Sequence, residues 1–169
     1  MRVMAAAILA AFIGCSWALA GNLPSVVTLD GVSGARPGMS VARVQSLWGV
    51  RLKLEGHASP GCQTASFHLG PIIGAALFQY RRFRAVWFSH GVGTPSGIRI
   101  GSTLAALKRA YGSRLTRTHA LYDRSVWLYY LRRSQSPHWR LRFDVSATGR
   151  ITSIGFGAAG YVTAQEGCA

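Results

Sequence analysis

Acidic residues are the scarce class in this 169-residue chain: five Asp and Glu stand against 19 Lys and Arg, a formal net charge of +14. The five, Asp30, Glu55, Asp123, Asp144 and Glu166, are too scattered for paired-carboxylate catalysis or an oxygen-ligand calcium loop without long-range convergence. Lysine is almost missing as well, with Lys53 and Lys108 alone beside 17 arginines. No zinc-finger spacing occurs, and the one long apolar run, from about Val3 to Ile13, falls short of the ~20 residues that cross a bilayer. With 49% hydrophobic and only 14% charged residues, the composition is that of a chain able to bury one core, not of a disordered one.

What stands at the N-terminus is a basic Arg2, the apolar run, and Ala18-Leu19-Ala20 before Gly21, which together read as a secretory signal over residues 1–20. Lipidation of Cys15 is the competing reading, weakened by Phe12 in the position where a smaller aliphatic residue belongs. Cleavage after Ala20 removes Arg2 and Cys15 and leaves a net charge of +13. Export to an oxidising compartment then makes Cys62–Cys168 the expected disulfide, tying the tail to the first half, with two free thiols as the alternative. The chain is thus expected to be secreted or periplasmic.

An internal match gives the architecture. Residues 35–49, ARPGMSVARVQSLWG, align with 98–112, IRIGSTLAALKRAYG, at an offset of 63 residues. Ser40 or Thr103 caps a helix, Val41/Val44/Trp48 or Leu104/Leu107/Tyr111 forms its apolar stripe, and Gly49 or Gly112 closes it. Period-two alternation follows, clearest where Trp139, Leu141, Phe143 and Val145 interleave with Arg140, Arg142 and Asp144. Strands are expected over 125–133, 139–145 and 150–157 in the second half, and over 62–70 and 83–90, with a shorter possibility at 51–56, in the first. The fold class expected is α+β, a tandem repeat of a short capped helix followed by an antiparallel β-meander. Its units are 21–90 and 98–169, linked by 91–97, and packed as two sheets or through their helices.

This pattern, a glycine, a Ser or Thr cap, an apolar stripe, an aromatic-Gly pair and a meander, resembles the repeat of the β-lactamase inhibitor protein family and of related small outer-membrane assembly lipoproteins. Gly38 to Gly49 and Gly101 to Gly112 carry it. The resemblance implies an exported, non-enzymatic protein whose sheet surface binds another protein. It transfers no inhibitory residue, and the disulfide within each repeat of that family has no counterpart here.

Arginine is the candidate functional residue, because its planar fork holds phosphate or carboxylate bidentately. The densest grouping is Arg132 and Arg133 on one expected strand with Arg140 and Arg142 on its hairpin neighbour, a compact positive face that Trp139 could join. The expected partner is an acidic protein or an anionic envelope surface; nucleic acid is disfavoured after export, and membrane contact would be peripheral. No cofactor or metal is expected, since His57, His68, His90, His119 and His138 are widely spaced. Ser89-His90, Thr118-His119 with Asp123, and Cys62 near His57 supply nucleophile and base types without a recognisable catalytic arrangement. A structural envelope component and a histidine-centred hydrolase are the alternative functions.

Overall fold

The computed structural model describes residues 25–56, 59–133 and 136–164, with the backbone alone at Arg133, Ser136 and Pro137. The expected signal segment 1–20, Cys15, His57, Glu166 and Cys168 lie outside the described residues. The fold is α+β: short helices interleaved with one large antiparallel sheet. No described helix is long and apolar enough to cross a membrane.

Both helices form where the capping chemistry places them. Helix α1 runs Val41–Trp48 and helix α2 Leu104–Tyr111. Ser40 Oγ accepts from Arg43 N at 3.3 Å and Thr103 Oγ1 from Ala106 N at 3.2 Å, each satisfying a first-turn N–H that the helix cannot. Gly49, at φ 64°, ends α1 in the left-handed region that a side chain resists. The aromatics at the ends of the stripes bury their polar atoms with partners: Trp48 Nε1 donates to Val32 O at 2.9 Å, and Tyr111 Oη to Thr94 Oγ1 at 2.8 Å. Thr94 lies in the 91–97 connection, which is thereby fastened to α2.

Two residue pairs, β1 (Val27–Thr28) and β2 (Gly31–Val32), make a small hairpin. The main sheet contains β3 (Glu55–Gly56), β4 (Cys62–Leu69), β5 (Ile72–Gln79), β6 (Arg82–His90), β7 (Leu115–His119), β8 (Trp127–Arg133), β9 (Ser136–Val145) and β10 (Ile151–Ala158). Its order is β3-β4-β5-β6-β10-β9-β8-β7. The last strand of each half therefore meets the other at the centre, with Ile154 opposite Phe88 and Phe156 opposite Val86. Here the structure departs from the expectation of two packed sheets: joining β6 to β10 satisfies two edges that would otherwise be open.

The register sorts the side chains. One cross-strand row is Phe67, Gly74, Phe88, Ile154, Phe143, Tyr129 and Arg117. It faces α1 and α2: Trp48 packs against Phe67 at 5.5 Å and Phe83 at 5.7 Å, and Tyr111 against Phe143 at 5.7 Å. This helix side is the core. The next row, Ser66, Ala75, Trp87, Gly155, Arg142, Tyr130 and Thr116, points to the far side. A short helix, α3 (Ala159–Val162), folds back over it; a Cβ at Gly155 would sit 2.7 Å from Trp87 Cδ1 and 3.3 Å from Val162 Cγ2. Glycine at 155 is what lets the Trp87 ring cross β10 beneath the helix.

The helix starts dock on the sheet in matched ways. Gly38 N donates to Phe83 O and Gly101 N to Ile151 O, both at 2.8 Å. Phe83 N returns to Met39 O, and Ile151 N to Ser102 O, at 2.8 and 2.9 Å. Arg82 reaches Gly38 O at 3.4 Å, as Arg150 reaches Gly101 O at 3.1 Å.

The expected disulfide is in view at one end. Cys62 is the only cysteine among the described residues and is disulfide-bonded, not a free thiol. No disulfide joins two described residues; Cys168 lies outside them, and the expected Cys62–Cys168 bridge is therefore no part of the described fold.

Candidate interaction face

On the far side of the second half, arginines converge because β8 and β9 pair in the register Tyr130 to Arg142 and Arg132 to Arg140. Arg132 and Arg140 are directly opposite, an arrangement of like charges that costs a sheet stability. Arg133 is in register with Ser136 by backbone, and its side chain is outside what is described. On the other flank of Arg140 lies Gly157, whose second neighbour is Ala85. Arg84, beside Ala85, extends its guanidinium over the Tyr161 ring of α3 at 5.4 Å. Nε of Arg84 and Nε of Arg140 are both buried without a hydrogen-bond partner. Nothing local in the sequence places Arg84 beside Arg140, since the β6–β10 pairing is long-range.

Arg142 has a different task. It makes a two-pronged bond to Asp144, Nε to Oδ1 at 2.6 Å and Nη2 to Oδ2 at 3.0 Å, and its Nη1 donates to Val162 O at 3.3 Å. Its side chain is only 11% exposed and that of Asp144 18%. It anchors α3 and neutralises the carboxylate of this face, so it does not offer its fork outward. Opposite charges at i and i+2 on a strand share a face, and that spacing was the available signal. Opposite Arg142 on β8, burial raises the Tyr130 phenol above its ordinary pKa, with Arg142 and Arg140 opposing and Asp144 adding to the shift.

Trp139 does not join the arginines. It is opposite Ala158 on the helix side, where its ring meets Phe156 edge-on at 6.2 Å. Alternation decides this: 139 has the parity of Leu141 and Phe143, not of Arg140.

The nucleophile and base candidates are scattered and engaged. His119 ends β7, stacks on Trp127 at 3.5 Å and places Nδ1 2.8 Å from Arg124 O. Asp123 lies in the following turn, not one helical turn on, and accepts from Ser125 N at 2.9 Å and Ser125 Oγ at 2.6 Å. Those two bonds lower its pKa below the usual carboxylate value. Ser89 Oγ and His90 Nδ1 approach to 3.3 Å on an exposed strand end. Among the described residues there is no group of three or more metal-ligating side chains.

No family model and no curated protein matches the chain. Solved structures do. A protein of the DUF4309 family from Bacillus subtilis is 10% identical with a TM-score of 0.55, the match covering 80% of this chain and 88% of that one. A cysteine-rich secretory protein from Staphylococcus aureus is 9% identical with a TM-score of 0.52 over 79% of this chain. The chain spans about half the length of the staphylococcal protein, 48%. A proposed β-lactamase inhibitor protein from Streptococcus mutans aligns with a TM-score of 0.30, too low to argue from. The chain therefore shares the α+β architecture of the first two, and at such identities the likeness is one of fold.

Proposed function

We propose that the chain is an exported, non-catalytic interaction module, built of two copies of one helix-and-meander unit, whose far sheet side in the second half binds an acidic protein. The observation that carries this is the unneutralised pairing of Arg132 with Arg140, extended by Arg84 across Gly157. A like-charged pair opposing buried Nε groups is a cost in the free protein that an anionic partner would relieve. Asp144, the carboxylate of this face, is already held by Arg142. Export rests on the signal-like segment 1–20, and the secretory protein among the similar folds is in keeping with it. The matched docking of Gly38 and Gly101 supports the two-copy reading. The engagement of His119 and Asp123 in a strand end and a turn favours binding over hydrolysis.

The test is binding of fluorescently labelled polyglutamate, followed by anisotropy at graded salt. Affinity should fall steadily with ionic strength. Replacing Arg84, Arg132 and Arg140 by Ala should weaken it by about tenfold, three modest charge contacts together. A control lacking two exposed arginines elsewhere, Arg43→Ala with Arg51→Ala, should change it about twofold or less. Equal losses in the two variants would reduce the face to general positive charge.

A further inference from the structure

On the helix side, at the open end of the second half, the register sets Arg117 of edge strand β7 opposite Tyr129 of β8. A cleft of about 450 Å³ opens there, lined by Lys108 near the C-terminal end of α2, Gly112, Ser113, Leu115, Arg117 and Tyr129. The volume is in the range of small-ligand pockets. Three features give it a chemical preference.

First, Tyr129 is 3% exposed, yet its phenolic oxygen is buried with no hydrogen-bond partner. A buried hydroxyl without a partner is costly, and Tyr129 is one of the residues that line the cleft. Second, among the described residues the cleft has two cations and no acid: Lys108 and Arg117 are both exposed, and no described carboxylate lines it. Third, Arg117 is held in place, its guanidinium 4.4 Å above the Trp127 ring, and Trp127 is backed on the same side by His119. Stacking uses the face of the guanidinium and leaves its N–H edge available.

We propose that this cleft is a site for a small oxyanion, a phosphate or a carboxylate group, which accepts a hydrogen bond from Tyr129 Oη and is flanked by Lys108 and Arg117. Lys108 and Arg117 can only donate and the Tyr129 hydroxyl is free to donate, so an oxyanion would satisfy the orphan hydroxyl and both charges at once. Leu115 provides the apolar wall against which the rest of a small organic acid would lie. The site is on the opposite side of the sheet from Arg132 and Arg140, and does not depend on the acidic partner proposed for them.

The experiment is thermal unfolding of the full chain at pH 7 with inorganic phosphate or acetate added at constant ionic strength, made up with sodium chloride. The melting temperature should rise saturably with one anion or both, and the one that acts identifies the oxyanion chemistry. Tyr129→Phe should melt no lower than the wild type without anion, because the hydroxyl it loses has no partner, but should bind about tenfold more weakly. Lys108→Ala with Arg117→Ala, both exposed, should abolish the rise without harming the fold, whereas Arg43→Ala with Arg51→Ala, exposed arginines that do not line the cleft, should leave it unchanged. Amide shifts on phosphate or acetate addition should centre on Gly112 and Ser113. The proposal is overturned if neither anion gives a saturable rise, if Tyr129→Phe responds as the wild type does, or if the Lys108/Arg117 variant keeps the response.

Discussion

The two halves of the sheet agree on one side and differ on the other. On the helix side, Phe88 in the first half answers Ile154 in the second, Phe67 answers Tyr129, and Trp48 answers Tyr111. On the far side the first half presents Thr64, Leu77 and Ala85 in the row that continues, through Gly157, to Arg140 and Arg132 in the second. Core positions are constrained by the need to fill space against a helix, so they stay alike. On the far side the helix that packs is the short α3, and where β5 and β4 place Leu77 and Thr64 the matching strands β9 and β8 place Arg140 and Arg132. The difference teaches where to look for chemistry: on the side where the halves part company.

The largest effect expected from breaking this contrast is at Arg142, the arginine spent on structure. Arg142→Ala strands the 18%-exposed Asp144 and frees the Val162 carbonyl. The loss should be about 2 to 4 kcal/mol in urea unfolding, and removing Asp144 as well should recover part of it. Next is Gly155→Ala, which pushes a methyl group into the Trp87 ring and should cost about 1 to 3 kcal/mol by the same measurement. Arg132→Ala sharpens the contrast from the other direction: stability should hold or rise by about 0.2 to 1 kcal/mol as the like-charge pair is relieved, while affinity for polyglutamate falls. A loss of stability there would show Arg132 to be structural, like Arg142.

The smallest effect is at Asp123, in the exposed β7–β8 turn. Because its folded pKa is lowered by Ser125, the carboxylate stabilises the fold above its unfolded pKa, and that contribution disappears as pH falls through the folded value. Asp123→Asn should therefore unfold slightly earlier than the wild type at pH 7, and the gap should close in acid. A gap independent of pH would mean the turn is held by other contacts.

Much of the frame was legible because local chemistry announces it. Ser40 and Thr103 marked the helix starts, Gly49 an end, and the parity of 139 to 145 a half-buried strand. What escaped notice lacks such signals. Strand β5, with Gly74, Ala75 and Ala76 in its middle, shows no alternation because small residues lie on both sides of it. Its turn into β6 uses Tyr80 and Arg81 at φ 50° and 59°, where glycine or asparagine is the usual sign. Edge strand β7 is Leu-Thr-Arg-Thr-His, exposed along most of its length, and so reads as a loop. The Arg132–Arg140 pairing followed from the hairpin, but Arg84 stands 56 residues before Arg140 in the chain, and the orphan hydroxyl of Tyr129 is a property of packing that no spacing reveals.

The central pairing of β6 with β10 has a further meaning for assembly. Antiparallel strands that end each half and meet side by side are related as the two partners of a symmetric dimer are, the same patch presented by both. On the two-copy reading proposed above, the seam is a subunit interface closed within a single chain. Cut between residues 91 and 97, each half would bare the strand that the other covers, and two different fragments, or two like ones exchanging places, would compete for the same edge.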